Sequence, residues 1–384
     1  MNNWIEVSEE RLAANLHTIQ KVAGARTTVL AVIKANGYGH GAETCAPMLA
    51  RAGARWLGVT CASEGGRVRT ALAAAGIESV DQPEILIMCG FLPEDVAVIR
   101  AHTLTPVVWN AEQVGWLGAC AGLPVHVEVN TGMGRQGVLP GEPFCALLEK
   151  MGAAGLTLDG VFTHFCSSEV TDSSLTALQQ RRFEGVVEQL GEAGLKPSWL
   201  HAGNTSAVDN PVRGHGWIQG LAAKIGAKPM VRTGLALYGY ALGIEGGQAG
   251  ELQPELGPVL SWKAHVLAVS DLAPGETVGY NATFTAVQPM RIALIPVGYA
   301  DGLRRELSGP HGWMMLRGQR VPILGRISMN LTVVDITRAD ITQPHGVRAG
   351  DEVMILGPGI TADDHARLAS TIAYEIVCGI HPCG

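Results

Sequence analysis

Thr28-Val29-Leu30-Ala31-Val32-Ile33-Lys34-Ala35-Asn36-Gly37-Tyr38-Gly39-His40-Gly41 is the stretch on which the fold turns. The run Thr28–Ala35 reads as the first strand: from Thr28 to Ile33 every residue is apolar or β-branched, the composition of a strand buried on both faces, as in a parallel sheet. A lysine closes the run, and Gly37, Gly39 and Gly41 then mark a segment of unusual backbone freedom. Before the run lies a helix signal: Ser8 as cap, Glu9 and Glu10 at the positive end, Gly24 as stop, and Leu12, Leu16, Ile19 and Val22 on one face. After it, similar apolar runs recur at 56–62, 85–90, 106–110, 125–130, 158–165, 198–202 and 230–237. Ala- and Leu-rich stretches with helical spacing separate them, as around Leu147-Leu148 and from Leu175 to Leu190.

Eight alternating strand–helix units are the number in a (β/α)8 barrel, and their combined length suits the roughly 250 residues of that fold. The same local pattern would serve a doubly wound open sheet, which strand counting leaves open. Past the Gly-rich linker Gly243-Ile244-Glu245-Gly246-Gly247-Gln248-Ala249-Gly250 the style changes. Runs at 259–269, 277–285, 291–297, 313–316, 320–323, 330–336 and 352–356 are separated by turn signals rather than helices, which predicts a mostly antiparallel β domain. A last helix is expected from near Thr361, with Asp364 in capping-box spacing and Leu368, Ile372 and Ile376 along it. The expected class is therefore α/β: a barrel over 1–243, whose N-terminal segment could pack on the β domain, and a β domain over 251–384.

Composition narrows the function. In 384 residues, 28 Lys and Arg stand against 35 Asp and Glu, a net charge of −7 that argues against a nucleic-acid groove. No apolar run reaches the roughly 18–20 residues of a membrane span, and the opening residues lack a secretory pattern. Eight scattered cysteines without a Cys-x-x-Cys fit a reducing cytoplasm.

In a barrel, chemistry collects where strands end. Lys34 closes the first strand; partial desolvation there would make it an amine nucleophile suited to Schiff-base chemistry, although a strand-end lysine can also simply snorkel to solvent. Glu128-Val129-Asn130-Thr131-Gly132-Met133-Gly134-Arg135 ends the fifth, and Arg135 can grip a carboxylate or phosphate. His164 ends the sixth strand, His201 begins His201-Ala202-Gly203-Asn204-Thr205 after the seventh, and Arg232-Thr233-Gly234-Leu235 lies on the eighth. Taken singly, each histidine is more often structural than catalytic, and His164 and His201 lack the third ligand of a zinc site. The loops after strands seven and eight commonly hold phosphate, and Asn204, Thr205 and the amides around Gly234 suit one. A strand-end lysine, a phosphate cradle and a spare arginine together imply a phosphorylated aldehyde, pyridoxal 5′-phosphate (PLP), with no metal.

The motif from Ala31 to Gly41 closely resembles the PLP-lysine motif of alanine racemases. Matches continue in order through Asn130–Arg135, His201–Thr205, Arg232–Gly239, Val278-Gly279-Tyr280, Gly298-Tyr299-Ala300-Asp301-Gly302, Gly325–Met329 and Tyr374-Glu375-Ile376. Of only six tyrosines, Tyr38, Tyr280, Tyr299 and Tyr374 fall on family positions. The resemblance implies a PLP barrel plus β domain working as a head-to-tail homodimer that interconverts L- and D-alanine. Lys34 would hold PLP and act as one base; Tyr280 of the partner subunit would be the opposing base. His164, Arg232 and His201 would form the hydrogen-bonded chain that a phenol of ordinary pKa about 10 needs, with Arg232 facing the pyridine nitrogen. Tyr38, Asn204, Thr205, Gly234, Leu235 and Tyr374 would surround the phosphate. Arg135, the Met329 backbone N–H and Tyr299 would hold the substrate.

Three departures from the family pattern stand out. The family usually carries a lysine, carbamylated to an anion, where this chain has Glu128, so Glu128 is expected to pair with Arg135 directly or, being shorter than a carbamyl-lysine, through water. Asn130 and Asn330 stand where acidic residues are common, and the 209–228 stretch is longer than usual, expected as an extra helix or loop. The resemblance places Tyr374 where an aromatic crowds side chains larger than methyl. A methylene is worth about 1–3 kcal/mol of discrimination, so weak serine racemisation is expected. Rival readings are a barrel-type PLP decarboxylase, a broad-specificity racemase, a non-catalytic PLP-binding protein and a PLP-free Schiff-base aldolase. Tyr280, the absent secretory segment, the β domain and the pairing of cradle with Arg232 argue against each in turn.

Overall fold

The computed structural model describes residues 2–212, 216–246, 249–341 and 346–382. They form two compact units, Glu9–Gly257 and Met1–Ser8 with Pro258–Gly384. Strand β1 (Asn3–Val7) belongs to the second unit. The next eight strands are parallel and close the first unit into a barrel: β2 (Thr28–Val32), β3 (Trp56–Val59), β4 (Glu84–Ile87), β5 (Thr105–Val108), β6 (Pro124–Glu128), β7 (Thr157–Phe162), β8 (Trp199–His201) and β9 (Lys228–Thr233). β9 returns to pair with β2, Thr28 opposite Met230 and Ala31 opposite Thr233. An open sheet has no such pairing, so the (β/α)8 barrel is the fold.

The helix Glu9–Ala23 packs as its periodicity predicts, with Leu12, Leu16 and Ile19 fully buried, Val22 only partly and Ala23 in its place. Asn15 is buried on the same face. Its amide donates to the Leu237 and Gly257 carbonyls at 2.9 Å each and accepts from the Gly257 N–H at 3.0 Å, which satisfies a polar group in an apolar setting. Inside the barrel, Gly160 makes room for a histidine: a Cβ there would lie 2.6 Å from the His126 ring.

The unit boundaries differ from the expected 1–243 and 251–384 for two reasons. β1 is a sheet strand of the β unit, so the described residues 2–8 belong there. The Gly-rich stretch and the residues just after it are bonded to the barrel unit instead of forming a bare linker: within the stretch Glu245 N–H donates to the Glu169 carbonyl (2.8 Å), and beyond it Glu251 N–H donates to the Asp209 carbonyl (2.9 Å) and Leu252 N–H to Asp209 Oδ1 (2.7 Å). Residues 247 and 248 lie outside the described residues. In the 209–228 stretch the helix Gly216–Ile225 leads into β9, and 213–215 lie outside the described residues.

The β unit adds β10 (Leu260–His265), β11 (Ala268–Leu272), β12 (Thr277–Val278), β13 (Phe284–Thr285), β14 (Met290–Ile295), β15 (Trp313–Leu316), β16 (Gln319–Leu324), β17 (Thr332–Asp335) and β18 (Glu352–Leu356). Eight strands pair antiparallel in the order β1-β10-β18-β15-β16-β17-β14-β11, and β12 pairs with β13. The run expected at 259–269 is thus two strands, and the one at 277–285 is a short hairpin around a turn that starts at Tyr280. Thr361 and Asp364 form the expected capping box. The last helix breaks in two, Ala362–Leu368 and Ala373–Cys378, because Ser370 between them adopts a left-handed φ of 53°. No helix among the described residues is long and apolar enough to cross a membrane.

Each unit buries a neutral histidine. Burial depresses His40 and His365 from 6.5 to about 4. The unfolded chain therefore binds protons below pH 6.5 that the folded chain refuses until about pH 4, and stability falls as pH drops through that window. Each histidine contributes on the order of 3 kcal/mol across it. Thermal unfolding followed from pH 7.5 to 4.5 should show a falling Tm, and a His365→Gln chain should show a shallower fall.

Candidate active site

β2 ends two residues before Lys34, earlier than its apolar run predicts, because the chain there enters a left-handed turn. Ala35, Asn36, Gly37 and Tyr38 have φ of 53°, 54°, 63° and 53°. For residues with a Cβ this conformation costs about 1–2 kcal/mol each, so other groups must hold it. Ala35 N–H donates to Thr60 Oγ1 (3.3 Å), Asn36 N–H to Glu64 Oε1 (2.8 Å), Gly37 N–H to the Ile33 carbonyl (2.8 Å) and Gly41 N–H to the Asn36 carbonyl (2.8 Å). The half-buried Lys34 is thereby set at the carboxyl end of the barrel, where its charge acts on Glu128 and His164.

Arg232, on β9, is buried at the centre of this end. Its Nη2 donates to the Thr163 carbonyl at 2.8 Å and to His164 Nδ1 at 3.1 Å; its Nη1 donates to His201 Nδ1 at 3.2 Å. A guanidinium only donates, so both Nδ1 atoms must be bare. His201 then carries its proton on Nε2 and donates to His126 Nδ1 (2.9 Å), and His126 donates from Nε2 to Asp159 (3.3 Å). Burial, reinforced by neighbouring positive groups, holds His164 and His201 well below the ordinary histidine value, and burial also lowers His126. Burial pushes Asp159 up, but hydrogen bonds from His126 and Ser198 outweigh it and leave Asp159 below its ordinary value. Burial brings Arg232 down to about 10, so it stays a cation at neutral pH among uncharged partners. Its Nε is buried without a partner.

Glu128 ends β6, and its carboxylate accepts from Gln136 Nε2, which also donates to the Met88 carbonyl at 2.9 Å. No hydrogen bond or ion pair joins Glu128 to Arg135 among the described residues, so the expected direct pair is corrected. A side chain as short as Glu is captured by Gln136, one residue past Arg135, and Arg135 stays exposed. Asn130 supplies shape instead of charge: its Oδ1 accepts from the Gly132 and Gly134 N–H groups at 3.1 Å each, folding the loop that carries Arg135. Behind the loop, Gln179 donates to Thr131 Oγ1 (3.2 Å) and to the His164 carbonyl (2.8 Å).

Burial raises the Glu128 pKa, and the Gln136 hydrogen bond is the strongest influence holding it down, ahead of Arg232, Arg135 and Lys34. Removing that donor in a Gln136→Leu chain should let Glu128 protonate at higher pH. With the alanine substrate that the resemblance implies, the acidic limb of the kcat/KM profile should move upward in pH, with the alkaline limb unmoved. An unshifted acidic limb would show that Glu128 charge has no part in turnover.

On the opposite side of the mouth, Asn204 caps the short helix Thr205–Asp209, its Oδ1 accepting from Ala207 N–H at 3.0 Å. Thr205 Oγ1 accepts from Ala236 N–H at 3.3 Å, which joins this turn to Gly234 and Leu235. A Cβ on Gly234 would fall 2.2 Å from the Tyr38 hydroxyl, so only glycine allows this approach. Thr233 Oγ1, next in line, is buried without a partner. Tyr38, Thr205, Gly234 and Leu235 are thus brought together, as are Lys34, Glu128, His164, His201 and Arg232.

The remaining candidates lie in the β unit. Tyr280 is 64% exposed, Tyr299 44% and Met329 56%. Tyr280, Tyr299, Arg305 and Ile327 line one recess of about 350 Å³. Ala300 N–H donates to the Met329 carbonyl at 2.9 Å, and Asn330 donates to the buried Asp301 at 3.5 Å. Tyr374 is half-buried in the helix Ala373–Cys378. No cluster of three or more His, Cys, Asp or Glu among the described residues is placed to hold a metal ion. Glu64, His126, Gln136, Asp159 and Gln179 were not singled out from the sequence. Only Glu64, in the first turn of the helix Ala62–Ala74, had a local signal, and that signal is an ordinary acidic helix start.

Comparison with known proteins supplies the family. The family model described as alanine racemase, N-terminal domain, matches residues 7–242, and that for the alanine racemase C-terminal domain matches 259–383. The alanine racemase of Symbiobacterium thermophilum is 34% identical over 389 residues, covering 98% of this chain and 94% of that protein. The crystal structure of alanine racemase from D-cycloserine-producing Streptomyces lavendulae superposes with a TM-score of 0.83 at 29% identity, covering 99% of this chain and 95% of that one. The alanine racemase from Bacillus anthracis with bound L-Ala-P gives 0.81 at 27% identity, covering 99% and 92%. With both domain models matched in order along a closed barrel and an antiparallel sheet, the chain belongs to the alanine racemase family of PLP-dependent amino-acid racemases.

Proposed function

We propose that this chain interconverts L- and D-alanine with PLP carried on Lys34, and that the α-proton moves between Lys34 on one face and Tyr280 of the partner subunit on the other. The observation that carries the reading is Arg232, a buried cation whose hydrogen-bond partners are all uncharged, on which Glu128 acts only through space, and whose Nε has no hydrogen-bond partner among the described residues. Such a group calls for an acceptor from outside the chain. The mouth fits PLP: a half-buried amine at Lys34, the unpartnered Arg232 Nε and Thr233 Oγ1, and the close approach that Gly234 permits. Bound there, PLP would supply a conjugated ring that accepts the electron pair left when the α-proton is removed.

The chain's own groups do the rest. Arg232, cationic at neutral pH and facing the ring nitrogen, would oppose protonation of that atom and limit side reactions. Tyr38, Asn204, Thr205, Gly234, Leu235 and Tyr374 would hold the phosphate, and Arg135, the Met329 N–H and Tyr299 the substrate carboxylate. His164, with Nδ1 occupied by Arg232, keeps its Nε2 proton to donate outward, and would orient the Tyr280 hydroxyl. The exposed Tyr280, Tyr299 and Met329 and the open recess beside them support a head-to-tail homodimer in which each copy completes the other's site. A cytoplasmic setting accords with cysteines that are scattered along the chain without a Cys-x-x-Cys.

The test is direct. Purified chain should absorb at the violet edge, lose that band on borohydride treatment with the label on Lys34, and give D-alanine from L-alanine in an assay coupled to D-amino-acid oxidase. A colourless protein that stays inert toward both enantiomers when supplied with PLP overturns the proposal.

A further inference from the structure

We propose that Glu64 is a positioning residue for Lys34: its buried carboxylate holds the left-handed turn that follows the lysine against the end of β3. The inference rests on the reading of Lys34 given above. Glu64 is only 5% exposed, and each of its oxygens accepts a backbone N–H. Oε2 takes Thr60 N–H at 2.7 Å, a local contact of the kind that caps a helix. Oε1 takes Asn36 N–H at 2.8 Å, 28 residues away and two beyond Lys34, which capping does not require. Thr60 Oγ1 adds the Ala35 N–H at 3.3 Å, so two successive amides after Lys34 are held from the neighbouring strand's loop. The platform is firmly seated: a Cβ on Gly65 would lie 2.9 Å from Leu104, and one on Gly66 would lie 3.2 Å from His102. A left-handed turn that holds three non-glycine residues, Ala35, Asn36 and Tyr38, in an unfavoured conformation is therefore anchored to a close-packed helix through one carboxylate and one hydroxyl. An amine one residue before that turn inherits its precision.

The experiment uses PLP-loaded, full-length chain with Glu64→Gln and, separately, Thr60→Val. Gln keeps the size but sets an NH2 group against one of the two N–H donors. Amides 36–38 should exchange with solvent at least about tenfold faster, with β6 amides unchanged. The kcat per folded, loaded site should fall at least about tenfold, while KM for alanine stays within about twofold. Thr60→Val, which removes only the hydroxyl, should shift both readouts the same way and less, and carries the test should Glu64→Gln not fold. A purely structural role would lower Tm and leave kcat per loaded site intact, and that result overturns the proposal. Unchanged exchange at 36–38 in both variants also overturns it. Failure of the unmodified chain to take PLP on Lys34 would instead overturn the proposed function, and the exchange readout would still report whether Glu64 holds the turn.

Discussion

A Lys34→Ala chain is expected to lose racemisation by at least about 10⁴-fold and to retain no borohydride-fixed PLP. Under the proposed function the amine does two things, hold the cofactor covalently and move a proton at the α-carbon, and no second lysine lies at the same end of the barrel strands among the described residues. The next barrel lysine, Lys228, opens β9 where Arg232 and Thr233 lie near its close, so it stands at the other end of the strand, against the Trp199 ring. Truncating a half-buried side chain with no hydrogen-bond partner among the described residues should leave the fold nearly as stable, with Tm within a few degrees of the parent. Reductive trapping with peptide mass analysis and the coupled D-alanine assay check both parts. A variant within tenfold of the parent rate would place the chemistry elsewhere.

The barrel was readable because a strand buried on both faces has to be a run of apolar residues, and the chain contains eight of them. What escaped were contacts between residues far apart in sequence. His126 sits in Val125-His126-Val127, and nothing local shows that its Nδ1 meets His201, 75 residues on, or that Gly160 clears its space. The left-handed turn after Lys34 was foreshadowed by three glycines, yet Ala35, Asn36 and Tyr38 also adopt it, because Glu64 and Thr60 hold it from another loop. The expected Glu128–Arg135 pair failed on reach and competition: opposite charges near one another in sequence do not reveal that a neighbouring amide takes the carboxylate first. In the β unit, runs between turn signals located most strands but not the break between β10 and β11, since Val266 is buried like a strand residue although it belongs to neither strand.

Tyr280→Phe is expected to lower racemisation by about 10²–10⁴-fold, the usual worth of a positioned acid–base group. Because the two enantiomers are equally stable, kcat/KM must fall by the same factor in both directions, so the racemisation rate alone cannot show which base was lost. Exchange of the α-hydrogen can. With Lys34 intact, one enantiomer should still trade its α-hydrogen for solvent deuterium on the lysine face without inverting, while the other should lose exchange and racemisation together. A single-base site would lose both exchanges or neither. The variant also tests assembly. If Tyr280 acts across the dimer, mixing Lys34→Ala with Tyr280→Phe chains restores one complete site in each mixed dimer, because the lysine of one copy meets the tyrosine of the other. Random re-association makes half the dimers mixed, each with one of two sites competent, so about a quarter of parental activity should return from two nearly inactive proteins. Were both groups to come from the same chain, every site would lack one base and mixing would restore nothing.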